Sequence, residues 1–195
     1  QVKAAVSADL GTFVASFDLP ASAPVGDASL VVEAGGKAYA ALKWYDQAIA
    51  DYEQAIAIDP SQGAVVRPFL ESVLAVRYPS IPSGSLVKGY WQTGGQFLAI
   101  DNSGGTSDLV VALAPRGSKG ALLAVYVAKG YSHRFDQVVP QGPYDVYITF
   151  GERWDTARKA FAKEGGYLKW ELPQYFGGSG TQGYTMTFIN WQPPG

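Results

Sequence analysis

The stretch YDQAIADYEQAIAIDP, Tyr45 to Pro60, decides the fold of the first part of the chain. Its apolar residues Ala48, Ile49, Tyr52, Ala55 and Ile56 stand at i, i+1, i+4, i+7 and i+8, which is one face of an α-helix. Asp59-Pro60 ends that helix, because the residue before a proline is pushed out of the helical region. Upstream, Val32, Gly36, Tyr39 and Leu42 form a second helical face, with a turn near Lys43–Tyr45. The spacing predicts two amphipathic helices in an antiparallel hairpin. Gly36 and Ala48 are small enough to let the two backbones approach closely, with Tyr39 and Tyr52 filling the space beside them. A further helix is expected from Val65 to Tyr78, carrying Phe69, Leu70, Val73, Leu74 and Arg77, with Pro68 in its first turn.

Segment 29–62, SLVVEAGGKAYAALKWYDQAIADYEQAIAIDPSQ, resembles one tetratricopeptide repeat over its full length. Gly36, Tyr39, the turn Trp44-Tyr45-Asp46-Gln47-Ala48, Tyr52, Ala55 and Pro60 carry the resemblance. The first helix departs from the pattern, with Val32 in place of a large aromatic and Gly35 in place of a leucine. No second repeat follows at the period of about 34 residues. The helix from Val65 then reads as the capping helix of such an array. The resemblance implies a surface that docks a protein, with Tyr39, Trp44, Tyr45 and Tyr52 as its partner-binding residues. One helical hairpin cannot bury its apolar face, and roughly three repeats are usually needed for stability. The capping helix and the β domain, or another copy of the chain, must cover it.

The remainder divides into unlike parts. In residues 1–28, Val2, Ala4 and Val6, then Phe13, Ala15 and Phe17, recur with a period of two. They predict two short strands with a turn at Gly11, in an N-terminal arm that could also pair with another sheet edge. Residues 29–78 hold the hairpin and capping helix. Residues 79–93, opening with Pro79, Ser80, Pro82, Ser83, Gly84 and Ser85, read as a linker. Residues 94–195 read as a β-sandwich of about seven strands. Its clearest strand alternates Tyr144, Val146, Ile148 and Phe150 against Asp145, Tyr147 and Thr149. Leu122 to Ala128 is a near-continuous apolar run, and the last strands are expected at Tyr167–Leu172 and Tyr184–Trp191. This half resembles a β domain of bacterial proteins that often follows tetratricopeptide repeats. Asn102–Gly104, then Gly142, Tyr144 and Tyr147, then Gly151, Trp154 and Asp155 carry that likeness. It implies architecture and no catalytic activity.

Composition narrows the functions. Apolar residues make up 47% and charged residues 16% of the 195, enough for a real core. A net charge of −2 argues against nucleic-acid binding. With no cysteine and a single histidine, His133, thiolate zinc sites, disulfides and Cys nucleophiles are excluded, and no metal or cofactor is expected. His133 could join Asp136 or Asp145 in a Ser-His-Asp arrangement, but no G-x-S-x-G elbow exists, and a surface strand histidine is the simpler reading. Gly177–Gly180 lacks the lysine and helix of a phosphate loop. No run reaches the roughly 18 apolar residues of a transmembrane helix. A chain that begins at Gln1 is expected to be processed or truncated. Low charge with many Gly, Ser, Thr and Tyr points to an extracytoplasmic location, periplasmic, cell-surface or secreted.

The sequence therefore reads as an α+β chain: one tetratricopeptide-like helical hairpin plus a capping helix, then an antiparallel β-sandwich. It is expected to be a non-enzymatic scaffold subunit of a larger assembly, binding a protein partner or copies of itself. The alternative is an extracytoplasmic carbohydrate-binding module using Trp91, Trp154, Trp170 and Trp191 as an aromatic surface.

Overall fold

The computed structural model describes residues 3–6, 13–16, 36–37, 39–91, 95–170, 173–177 and 183–189. The chain divides into two compact units, Gln1–Pro79 and Ser80–Gly195. Helices followed by a β-rich region with mainly antiparallel pairing make it an α+β protein. Among the described residues, no helix is long and apolar enough to cross a membrane.

In the first unit, β1 (Lys3–Val6) pairs antiparallel with β2 (Phe13–Ser16), with Lys3 opposite Ser16. The turn expected at Gly11 lies outside the described residues. Residues 36–37 and 39–41 are helical. Helix α1 (Tyr45–Ile58) and helix α2 (Gly63–Arg77) follow, joined by a single 3-10 turn at Pro60–Gln62. The Asp59 side chain caps that turn, accepting from the Ser61 amide at 3.0 Å and its hydroxyl at 2.6 Å. The buried core is Ala48, Ile49, Tyr52 and Ala55 of α1 with Val66, Leu70 and Val73 of α2. Arg77 Nε donates to Asp46 at 2.8 Å, which ties the end of α2 to the start of α1. Helix α2 begins at Gly63, two residues ahead of the expected start, so Pro68 sits inside it and not in its first turn. The ring removes the N–H that would have bonded the Ala64 carbonyl. Both residues are exposed, so water can serve that carbonyl.

The second unit holds nine described strands, more than the seven or so expected: β3 (Leu86–Gly89), β4 (Gln96–Gly104), β5 (Asp108–Pro115), β6 (Leu123–Val127), β7 (Ser132–Val139), β8 (Gly142–Asp155), β9 (Ala160–Lys169), β10 (Gln174–Phe176) and β11 (Gly183–Ile189). One sheet runs β10-β8-β5-β6-β3, with β9 also on β8; the other runs β11-β4-β7. Strand β8 is the spine. Its first residues pair with β10 and Tyr147–Asp155 pair with β9, both on the side away from β5. One shared core joins the sheets in a sandwich-like arrangement. It takes Leu98, Ile100, Met186 and Phe188 from the smaller sheet and Leu109, Val111, Val125, Ile148 and Phe150 from the larger. Two expectations need correction. Residues 79–93, read as a linker, contribute β3, which pairs antiparallel with β6 through Leu86 and Val125. The sheets are not wholly antiparallel either, because β11 runs parallel to β4, with Gly183 opposite Phe97.

A second apolar cluster, Val110, Ala124, Tyr126, Trp154 and Phe161, is built from alternate positions on the other face of the larger sheet. The register of β8 and β9 shifts between Phe150 and Gly151. A Cβ on Gly151 would stand 2.5 Å from that of Phe161, so only glycine admits this approach. Trp154 then packs edge-on to Phe161 with centroids 5.1 Å apart. Asp155 closes the turn by accepting the amides of Ala157 and Arg158 at 2.9 and 3.0 Å.

Candidate functional site

In the helical unit, Trp44 precedes α1 and is 38% exposed. Its amide donates to the Tyr39 carbonyl at 2.9 Å and its indole stacks on the Tyr39 ring at 5.8 Å. Tyr39 and Tyr45 are half-buried against the helical core. These three of the four expected partner-binding residues lie around one turn. Tyr52 does not join them. At 1% exposure it is a core residue, its ring set against Gly36 and stacked on Phe69 at 6.3 Å. Leu42, Val65, Phe69 and Val76 are exposed as well, and the sequence did not assign them to a surface. Phe69 stands one turn before the buried Val73 and is 38% exposed, with the Lys37 ammonium over its ring at 4.3 Å. Helix α1 carries Asp46, Asp51 and Glu53 and no basic residue. Burial pushes the Asp51 carboxyl above its ordinary value.

In the β unit the tryptophans separate. Trp154 is 8% exposed and belongs to the second apolar cluster, so it offers no surface. Trp170 is half-buried against the main core, its amide donating to the Val146 carbonyl at 3.1 Å. Trp191 lies outside the described residues. Trp91 is 40% exposed and starts a row of rings that the sequence reading did not assemble. It stacks on Phe135 at 4.8 Å, Phe135 on His133 at 5.9 Å, and His133 on Tyr131 at 6.4 Å and only 5°. Tyr131, His133 and Phe135 alternate along one chain segment, so the period of two puts their side chains on one side.

His133 is also the hub of a polar cluster. Its Nε2 shares a hydrogen bond of 2.9 Å with Ser83 Oγ, which in turn accepts from the Ala128 amide at 3.0 Å. The distance matches a nucleophile and its base. Neither Asp136 nor Asp145, the carboxylates considered as triad partners, orients the imidazole: Asp136 pairs with Arg134 at 2.9 Å and Asp145 with Lys169 at 3.8 Å. The pair instead fastens residues 80–85 to the sheet, together with hydrogen bonds from the Gly84 amide to the Tyr126 carbonyl and from the Tyr126 amide to the Ser85 carbonyl. Beside it opens a cavity of about 450 Å³, bounded by Ser83, Asp108, Tyr126, Lys129, Tyr131 and His133 among others. Asp108 accepts the Tyr126 hydroxyl at 2.7 Å through Oδ2 and the Lys129 amide at 3.0 Å through Oδ1. Burial, with the Asp108 carboxylate, pushes the Tyr126 phenol far above its ordinary value and keeps it protonated. Among the described residues, no three His, Cys, Asp or Glu side chains gather as a metal would require.

No family model, curated protein or solved structure matches the chain.

Proposed function

We propose that this protein is a non-enzymatic scaffold subunit of an extracytoplasmic assembly, its helical unit a tetratricopeptide-like docking module and its β unit a rigid body. One observation carries the reading. The helical unit has closed its own core, yet Leu42, Trp44, Val65, Phe69 and Val76 each remain at least 38% exposed. So many large apolar residues left in water on one small unit mark a surface that a protein partner hides. Helical repeats leave such faces because each hairpin needs a neighbour to stack on. The partner is another protein or a second copy of the chain. Trp154 and Tyr52 take no part in docking, because both are core residues.

The test is site-specific photo-crosslinking in the native cell. A photoreactive residue at Trp44 should give a discrete protein adduct, and the same residue at Lys119, in an exposed turn of the β unit, should not. Equal labelling at both positions, or none at Trp44, would sink the scaffold reading.

A further inference from the structure

We propose that the cavity beside His133 is a binding site for a neutral saccharide of one or two rings. Its size lies in the range of small-ligand sites, about 300–1,000 Å³. Its chemistry narrows the class. Tyr131 is 57% exposed and ends the row of stacked rings, so one face of its phenol meets no other ring of that row. Such a face takes the C–H side of a pyranose, as an apolar body with a polar tip. The stack behind it, His133, Phe135 and Trp91, holds that ring in one orientation.

The polar rim is suited to hydroxyls. Each Asp108 oxygen already accepts one hydrogen bond within the fold, and a carboxylate oxygen has room for a second. Two adjacent sugar hydroxyls could therefore donate to Asp108 together, at a group already fixed in place by Tyr126 and the Lys129 amide. The Lys129 side chain stands on the same rim as a donor toward sugar oxygens. One carboxylate and one ammonium balance, so the rim favours neither an anion nor a cation. Vicinal hydroxyls, which donate and accept at once, satisfy this mixture. Ile81, Pro82 and Ala128 supply the apolar remainder of the wall. The site does not run through Trp154 or Trp170, where an aromatic surface was expected, and it is independent of the docking role of the helical unit.

The test uses the whole chain and a panel of neutral sugars, glucose, galactose, mannose, N-acetylglucosamine, cellobiose and maltose, with glucuronate and glucose 6-phosphate as charged probes beside them. Binding is read by saturation-transfer NMR and titration calorimetry. At least one sugar should bind saturably, and Tyr131→Ala should weaken it by about tenfold or more. Lys129→Met should weaken it less. Both side chains are exposed, so neither change should unfold the protein. Tyr167→Ala, at an exposed tyrosine of β9, should leave binding intact. Silence across the panel would overturn the proposal. So would binding that survives both Tyr131→Ala and Lys129→Met, or a response to glucuronate or glucose 6-phosphate alone, which would make this an anion site. None of those results bears on the crosslinking test at Trp44.

Discussion

Gly36 and Tyr52 meet so closely that a Cβ added to the glycine would stand 2.7 Å from the tyrosine ring. The helical turn through Gly36 therefore approaches α1 at a distance no other residue allows. Among the described residues Tyr52 is the largest fully buried side chain, and it fills the space left by the missing Cβ.

Gly36→Ala should destabilise the helical unit. Alanine gains about 1 kcal/mol of helix propensity over glycine. Overpacking against a buried ring costs about 1–3 kcal/mol. The clash should win, by up to about 2 kcal/mol. Urea unfolding followed by helical circular dichroism would show it as a lower midpoint; an unchanged or higher midpoint would mean that the contact gives way easily.

Asn102 is 1% exposed, and its Nδ2 donates to the carbonyls of Ser107 at 3.0 Å and Val127 at 3.4 Å. Asn102→Ala should cost about 1–3 kcal/mol by leaving those carbonyls without the side-chain donor. Asn102→Asp should cost more near neutral pH, since a carboxylate has no donor to offer. Thermal unfolding of the three proteins side by side would check that order.

Tyr126 contributes to the alkaline sensitivity of the β unit. Its folded phenol titrates above the ordinary value, 10.0, because of burial and the Asp108 carboxylate. A raised folded pKa gives stability that is fully present below the unfolded value, about 10, and lost as pH rises beyond it. Denaturant midpoints taken from neutral into strongly alkaline buffer should fall for the native chain. Tyr126→Phe should fall less steeply, starting from a neutral-pH stability lower by about 1 kcal/mol for the lost hydrogen bond.

At the other end of the scale, Asp59 titrates below its ordinary value, 3.8, chiefly because the Ser61 hydroxyl bonds its carboxylate. A lowered folded pKa gives stability present above the unfolded value and lost as pH falls. Ser61→Ala should move the Asp59 carboxyl back up toward 3.8, measurable by NMR titration of that side chain. The helical unit of this variant should also show a shallower loss of stability in acid.

Local periodicity was readable where one face decides burial. In α1 the residues Ala48, Ile49, Tyr52 and Ala55 are all buried, as their spacing implies. In β8 the alternating Tyr144, Val146, Ile148 and Phe150 all face the core, and the apolar run of β6 is buried at every residue. What pairs with what was not readable. β3 is four residues long and follows a run of proline, serine and glycine, and its partner β6 is distant in sequence. Composition there outweighed a strand that exists only through its neighbour. Aromatic identity did not separate inside from outside either. Tyr52 and Trp154 went into cores, while Trp44 and Trp91 stayed at the surface, according to the glycines and rings that faced them. The row from Trp91 to Tyr131 was hidden for the same reason, since Trp91 reaches it from a segment far from β7.

The parallel pairing of β11 with β4 has a bearing on biosynthesis. Phe97 finds its opposite number only when Gly183 has been made, so β4 and β7 can pair first and the smaller sheet is completed only by the last described strand. Until then Leu98 and Ile100 lack the cover of Met186 and Phe188, and a partly synthesised chain presents greasy strand edges to whatever is nearby.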